Sequence, residues 1–182
     1  LILIMLIPLI VVILLDAKLA VDSFSASRNL KALDNVVELS TKIGALVHET
    51  QKERGMTAGF LGSKGEKFKT ELPNQRLKTD EKLSEFKTFL STFDKNSYSQ
   101  DFIENLDSGI KKLEELSNIR SSVNALSING PVAIGYYTET NKLLLNVIGT
   151  IVKLSTNSNV SQELVSYMNF LLSKERAGLE RA

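Results

Sequence analysis

The residues of this sequence best suited to chemistry are arginines that fall on otherwise apolar stripes of predicted helices. Arg54 lies at a seam position between Gln51 and Ala58, and Arg120 and Arg181 hold comparable positions farther along the chain. A buried guanidinium is costly unless a negative group meets it. Each of these arginines therefore requires an anionic partner, which an internal carboxylate or a bound anion could supply.

Two of the arginines occur in similar short motifs at distant points of the chain. Glu53-Arg54-Gly55 and Glu180-Arg181-Ala182 each place an acid, an arginine and a small residue in succession. Small residues let helices approach closely, and Gly59 repeats the feature of Gly55 one turn later. We expect such an approach to leave a narrow gap between guanidinium groups. Their planar N–H forks match a small planar anion such as nitrate, nitrite or a carboxylate.

An internal salt bridge is the competing interpretation of each arginine. Acidic residues lie close to the arginines in sequence and could neutralise them: Glu49, Glu53, Glu175 and Glu180. A long arginine side chain can also extend its charged end to the surface of a bundle. The residues alone leave these alternatives open.

Signatures of catalysis and of metal binding are missing from the sequence. The 182-residue chain has no cysteine and one histidine, His48, and Lys52 stands where a zinc protease motif requires a second histidine. The glycine-rich run 62–65 has no predicted strand before it, which excludes a P-loop and indicates the end of a helix. A net charge of +1 does not favour nucleic acid. We therefore expect no enzyme, no catalytic residue, no metal, no cofactor and no nucleic-acid partner.

Apolar residues recur at intervals of three and four throughout the chain, which predicts an all-α protein built as an up-and-down helical bundle. Five helical segments are expected. The first runs to about Leu61, and the second starts near Glu66 with an interruption at Pro73. The third follows a capping box at 97–100, and the fourth begins at the proline of Asn129-Gly130-Pro131. The fifth is capped by Asn159 and Gln162 after a turn at 156–159.

The N-terminal residues have the composition of a membrane segment. Leu1 to Leu15 carries no charge, and a membrane helix needs roughly 20 apolar residues. Because the sequence starts without methionine, we interpret 1–24 as a partial transmembrane helix and its exit. Residues 25–182 are interpreted as a helical anion-sensing domain. No proline separates Asp16 from Leu61, so the sensor helix is expected to continue from the transmembrane segment.

Three stretches of the sequence resemble the nitrate- and nitrite-sensing (NIT) domain of bacterial receptors. They are Gln51 to Leu61, Leu72 to Asp80 and Leu171 to Ala182. The first and last are fairly specific in combination. The resemblance implies packed helical bundles that bind nitrate or nitrite through arginines and are fused to varied signalling outputs. Because the family domain continues past the last motif, it also implies that the domain 25–182 is truncated at its C-terminus.

Carried over by motif, the resemblance assigns the best ligand contacts to Arg54 and Arg181. Arg76 and Arg120 lie where further family arginines could fall. Arg176 competes with Arg181, because on a regular helix it shares a face with apolar residues of the last segment.

The resemblance also implies a cellular context. The expected protein is a homodimeric transmembrane receptor of the methyl-accepting chemotaxis type, in the bacterial inner membrane with its sensor domain outside the cytoplasm. Nitrate or nitrite is the expected partner, and the signal would pass through the membrane helix. Two alternatives remain: a helical sensor for a small carboxylate or amino acid, and a structural bundle whose arginines serve only internal salt bridges.

Overall fold

The structure is a computed structural model. It describes the backbone of residues 2–154 and 158–180, and the side chains of 15–24, 34–152, 162–178 and 180. These residues contain six α-helices and no strand: α1 (Ile2–Gly62), α2 (Glu71–Thr92), α3 (Gln100–Glu114), α4 (Leu116–Asn124), α5 (Gly130–Leu154) and α6 (Ser158–Leu179). A short 3-10 helix, Lys95–Ser97, precedes α3. The predicted all-α helical bundle is confirmed.

The chain divides into two compact units, Leu1–Val37 and Glu38–Ala182. The first unit consists of the N-terminal part of α1, in which Leu15, Leu19 and Phe24 are exposed. Within the part of the chain that the structure describes, no helix has an apolar stretch sufficient to cross a membrane. The side chains of 1–14 lie outside that part, so the transmembrane segment and the boundary at 24/25 stay predictions.

The second unit has a core to which α1 and α5 contribute most of the buried residues. On α1, Leu39, Ile43, Leu46 and Val47 are fully buried at the three- and four-residue spacing that the sequence predicts. Burying each such side chain contributes roughly 1.5–3 kcal/mol. The same stripe then becomes polar, because its next buried residues are Thr50, Glu53, Arg54 and Thr57. This change along one helix face places a group of charged and polar side chains inside the bundle.

The predicted start of the second helix, near Glu66, is wrong. Residues 63–70 form turns in which Lys64, Gly65 and Phe68 adopt positive φ angles. The helix begins at Glu71, and Pro73 lies in its first turn, where a missing N–H costs no intrahelical hydrogen bond. Pro73 therefore causes no interruption.

The predicted third helix is two helices, and its predicted cap is wrong. The Glu115 amide donates to Lys112 O at 3.2 Å, a three-residue turn that separates α3 from α4. Ser99, not Ser97, caps α3, because its hydroxyl accepts from the Phe102 amide. The predicted fourth helix is α5, which begins at Gly130, one residue before the expected proline. The last helix begins at Ser158, inside the predicted turn at 156–159. The backbone of 155–157 and the side chain of Asn159 lie outside the described residues, so the predicted cap stays a prediction.

Candidate anion site around Arg54

Arg54 of α1 is enclosed by two other helices. Its side chain is 1% exposed. One terminal nitrogen, Nη1, donates to the Thr138 hydroxyl of α5 at 3.0 Å and forms an ion pair with Glu175 of α6. The Nε–H is buried and has no hydrogen-bond partner in the structure. The guanidinium is therefore neutralised from a distant part of the sequence, yet one of its donors remains unsatisfied.

Glu175 belongs to a polar layer that joins α1, α5 and α6. Its second oxygen accepts from Gln51 Nε2 at 2.6 Å and from Asn141 Nδ2 at 3.3 Å. Asn141 in turn accepts from the Thr50 hydroxyl at 2.6 Å. These bonds hold a planar carboxylate beside Arg54 with most of its surface removed from water.

Two glycines bring α6 close to α1. A Cβ added at Gly178 would lie 2.8 Å from Arg54 Nη2, and one added at Gly44 would overlap the Tyr167 hydroxyl. The prediction that Gly55 and Gly59 serve this purpose is wrong. Nothing lies within 4 Å of a Cβ at Gly55, and Gly59 faces the Phe68 ring of the turn before α2. Close approach therefore occurs at Gly44 and Gly178.

A second charged cluster surrounds Glu53, which precedes Arg54 on α1. This fully buried carboxylate receives two hydrogen bonds from Arg120 of α4, at 2.7 and 2.8 Å, and one from the Tyr137 hydroxyl of α5 at 2.7 Å. Arg120 also donates to Asp80 of α2 at 2.6 Å. Burial and the adjacent Glu53 charge raise the pKa of Tyr137, so its hydroxyl remains a donor. Although burial opposes it, hydrogen bonds to Glu53 and Asp80 raise the pKa of Arg120.

Arg76 of α2 lies at the edge of the Glu53 cluster. Its Nη1 donates to Asn124 Oδ1 at 2.7 Å, and its Nε lies 3.7 Å from Glu53 Oε1. Nε and Nη2 are both buried without a hydrogen-bond partner. Burial is the main reason that the pKa of Arg76 is lowered.

The five predicted arginines thus occupy different environments. Arg54 is paired with Glu175 of α6, and the predicted approach of a second guanidinium to it stays a prediction. Arg120 and Arg76 lie around Glu53. Arg176 is exposed, and Arg181 lies outside the described residues.

Sequence reasoning considered Glu175 only as a possible salt-bridge partner and did not identify Thr138, Asn141 or Tyr137 as neighbours of the charged groups. All three lie on α5, where Asn141 follows Tyr137 by four residues and Thr138 by three. This helical spacing could have indicated a polar stripe. Within the described side chains, no group of histidine and acidic residues is arranged to hold a metal ion.

Comparisons with known proteins agree with this architecture. The family model described as "Nitrate and nitrite sensing" (NIT) matches residues 45–182. The nitrate regulatory protein of Klebsiella oxytoca is 27% identical over 167 residues, which cover 89% of this chain and 42% of that protein. The solved structure of the NasR transcription antiterminator superposes with a TM-score of 0.80 at 26% identity, over 88% of this chain and 45% of that one.

This chain therefore spans less than half the length of either relative. Neither comparison shows the predicted chemoreceptor context, since one relative is named as a nitrate regulatory protein and the other as a transcription antiterminator. The family match, in contrast, covers both the motif that carries Arg54 and the motif that carries Arg176 and Arg181. The chain belongs to the family of nitrate- and nitrite-sensing (NIT) domains.

Proposed function

We propose that the chain binds nitrate or nitrite at Arg54, and that the ligand takes the place of the Glu175 carboxylate. The observation that carries this proposal is the buried Arg54 guanidinium, which holds a planar oxyanion group from another helix and retains an unsatisfied Nε–H. Nitrate offers the same planar array of oxygen acceptors as a carboxylate. A free anion could therefore replace Glu175 without rearranging the guanidinium.

Displacement of Glu175 supplies a mechanism for signalling. Glu175 links α6 to Gln51 and Arg54 of α1, so releasing it changes how firmly the two helices are joined. A ligand shifts such an equilibrium only by its differential affinity for the two arrangements. When Glu175 is paired with Arg54, the anion must compete with this carboxylate. When Glu175 is released, the anion binds Arg54 without competition, and this is the difference in affinity. Arg176 or Arg181 of the same motif would then approach the anion and replace the lost charge pairing.

Calorimetric titration of the chain with nitrate, nitrite and chloride tests the proposal. We expect micromolar or weaker binding of nitrate or nitrite and none of chloride. Arg54→Gln removes the fork and should abolish binding, whereas Arg54→Lys keeps the charge and should weaken it about tenfold or more. Arg176→Gln and Arg181→Gln, compared with each other, identify which arginine of the C-terminal motif contributes.

The alternatives predict different titrations. Small carboxylates should compete poorly with nitrate, and tighter binding of acetate or an amino acid would favour the carboxylate sensor. Unchanged nitrate binding in Arg54→Gln would refute this site. Loss of stability in Arg54→Gln, with no binding of any anion to the parent chain, would support the structural bundle.

The output of the sensor is part of the proposal. The uncharged run Leu1 to Leu15 supports a membrane-anchored, homodimeric receptor whose α1 carries the signal to an output such as a chemotaxis module. Retention of the chain in the membrane fraction after alkaline carbonate washing, and release after replacing three central leucines or isoleucines with aspartate, is the expected result. Recovery of the unmodified chain in the washed supernatant would exclude anchoring.

A second candidate context follows from the relatives, one of which is named as a transcription antiterminator. In that case the sensor would control an antiterminator output instead of a membrane receptor. Nitrate-dependent read-through of a terminator by the complete protein would favour this context over the receptor.

A further inference from the structure

A cavity of about 170 Å³ lies between the end of α1, the turn that follows it, α2 and α4. Its lining shares no residue with the Arg54 site. Apolar groups come from Phe60, Leu72 and Pro73, and polar groups from Lys69, Arg76 and Asn124, with Gly65 completing the wall. Its size is comparable to a cavity of roughly 150 Å³ that accommodates benzene in another protein.

The charged groups at the cavity are cations. Lys69 and Arg76 line it, and none of its lining residues is acidic. Arg76 donates one hydrogen bond to Asn124, but its buried Nε–H and Nη2–H groups have no hydrogen-bond partner. A buried guanidinium with unsatisfied donors is unfavourable, and an acceptor within the cavity would relieve it. The polar side of the cavity is therefore suited to an anionic group.

The backbone at the cavity is held in an uncommon conformation. Gly65 has a φ of 91°, and the non-glycine residues Lys64 and Phe68 have φ angles of 56° and 57°. The Gly65 amide is bonded to Phe60 O at 2.8 Å, which fixes the turn against the end of α1. Conformations of this kind persist where the surroundings determine them, and they are frequent at ligand sites.

We propose that this cavity is a second binding site, for a small carboxylate with an apolar body no larger than a benzene ring. The carboxylate group would contact Lys69 and Arg76, and the apolar body would pack against Phe60, Leu72 and Pro73. An inorganic ion alone would leave the apolar part of the cavity unfilled, which is why the proposal specifies an organic anion.

The site is coupled by contact to the charged cluster beside the nitrate site. Arg76 Nε lies 3.7 Å from Glu53, and Glu53 precedes Arg54 on α1. A carboxylate that draws Arg76 toward the cavity would weaken this attraction. The occupant of the cavity is therefore placed to modulate the sensor without occupying Arg54.

Fluorine NMR of 4-fluorobenzoate with the full 182-residue chain tests the proposal directly. We expect line broadening that excess unlabelled benzoate reverses, and no comparable broadening of the neutral 4-fluorobenzamide. Lys69→Gln should weaken benzoate binding by about two- to fivefold, the scale of an exposed charge contact, and Arg76→Gln by about tenfold or more. The matched control is Lys67→Gln, an exposed lysine of the same turn outside the cavity lining, which should bind like the parent.

Three outcomes would overturn the proposal. Equal binding of the benzamide would make the cavity a purely apolar site. Unchanged benzoate binding in both Lys69→Gln and Arg76→Gln would place the anion elsewhere. Full competition between nitrate and benzoate, together with loss of benzoate binding in Arg54→Gln, would reduce the two sites to one. Nitrate titrated into Lys69→Gln should bind as in the parent, which separates this test from that of the proposed function.

Discussion

Glu175 gives Arg54 an internal counterion, and its charge has opposite effects on stability and on anion binding. In Glu175→Gln the guanidinium stays buried and loses its paired charge, which typically costs about 3–5 kcal/mol of unfolding free energy. The same change removes the competitor from the proposed nitrate site. We therefore expect a lower melting temperature without ligand and a larger rise on addition of nitrate than in the parent, both measured by thermal unfolding.

The matched control for this prediction is Glu163→Gln, an exposed glutamate of the same helix. It should change neither the melting temperature nor the response to nitrate. Complete loss of the nitrate response in Glu175→Gln would mean that Glu175 helps to bind the ligand, contrary to the competition described above.

Tyr137 carries a hydroxyl whose environment fixes it as a hydrogen-bond donor. It donates to the fully buried Glu53 carboxylate, which also holds Arg120. Tyr137→Phe leaves that carboxylate with one donor fewer, so we expect a loss of about 1–3 kcal/mol in unfolding free energy. Tyr136→Phe is the control, since its hydroxyl donates to the neutral Lys112 carbonyl and should cost less. Urea denaturation of both variants distinguishes them, and equal costs would contradict a special role for Glu53.

At the residue scale the sequence predicted which arginines require a partner, but not which partner each one has. Arg54 and Arg120 occupy seam positions, and both are indeed paired with carboxylates. The ion pairs do not follow sequence order. Arg54 pairs with Glu175 of α6, whereas its neighbour in sequence, Glu53, pairs with Arg120. Helical periodicity assigns a residue to a face and says nothing about which distant side chain reaches that face.

The contact between α1 and α6 depends on a missing side chain at Gly178. A methyl group there would meet Arg54 Nη2 at 2.8 Å, so Gly178→Ala must displace either the guanidinium or α6. Alanine is otherwise the better helix former by roughly 0.5–1 kcal/mol. We expect the steric displacement to outweigh the gain in helix propensity at this contact. Nitrate affinity, measured by calorimetric titration, should fall at least about tenfold.

Gly135→Ala provides the control for this element. Gly135 is an exposed residue of α5 with nothing within 4 Å of an added Cβ. Its replacement should stabilise the chain slightly and leave nitrate binding unchanged. Unimpaired nitrate binding in Gly178→Ala would indicate that the close approach is not required for the site.

Helices with a long apolar stripe were predictable, and the breaks between shorter ones were not. The stripes of α1 and α5 are visible at every turn, and Asn129-Gly130-Pro131 marks a start that the structure confirms. Glu115 escaped prediction because its dihedral angles, φ −76° and ψ −12°, remain close to helical and the residue is a good helix former. The late start of α2 was not predicted because it depends on positive φ angles at Lys64 and Phe68, which residues with such side chains rarely adopt.

For the second unit as a whole, the apolar spacing was sufficient to predict a bundle, whereas the site required its three-dimensional assembly. The polar layer at Thr50, Arg54, Asn141 and Glu175 draws on three helices. Each helix shows only one or two polar residues in an apolar stripe, a pattern common in ordinary cores. The family motif is what favours the proposal of an anion site here over a structural ion pair.

The contact between α1 and α6 also contains His48, the one histidine of the sequence. His48 of α1 accepts from Lys174 of α6 at 2.5 Å, and Glu49 and Lys52 are the other charged groups around it. Partial burial, and next the positive charge of Lys174, lower the pKa of His48 from its ordinary 6.5. A protonated His48 would lose its acceptor nitrogen and face a second cation, only partly compensated by Glu49.

The sign of the pH dependence follows from proton uptake by the two states. At a pH between the pKa of His48 in the folded chain and its pKa in the unfolded chain, the unfolded chain binds more protons. The stabilisation is therefore fully present above the unfolded-state pKa and is lost as the pH falls through the folded-state pKa. Urea denaturation at about pH 7.5 and about pH 5 should show this loss, and His48→Gln should remove part of the difference. Because Lys174 lies one residue before Glu175, the loosened contact should also lower the unfolding barrier around Arg54. If His48→Gln retained the full pH dependence, the titrating group would have to be sought among the carboxylates of the bundle.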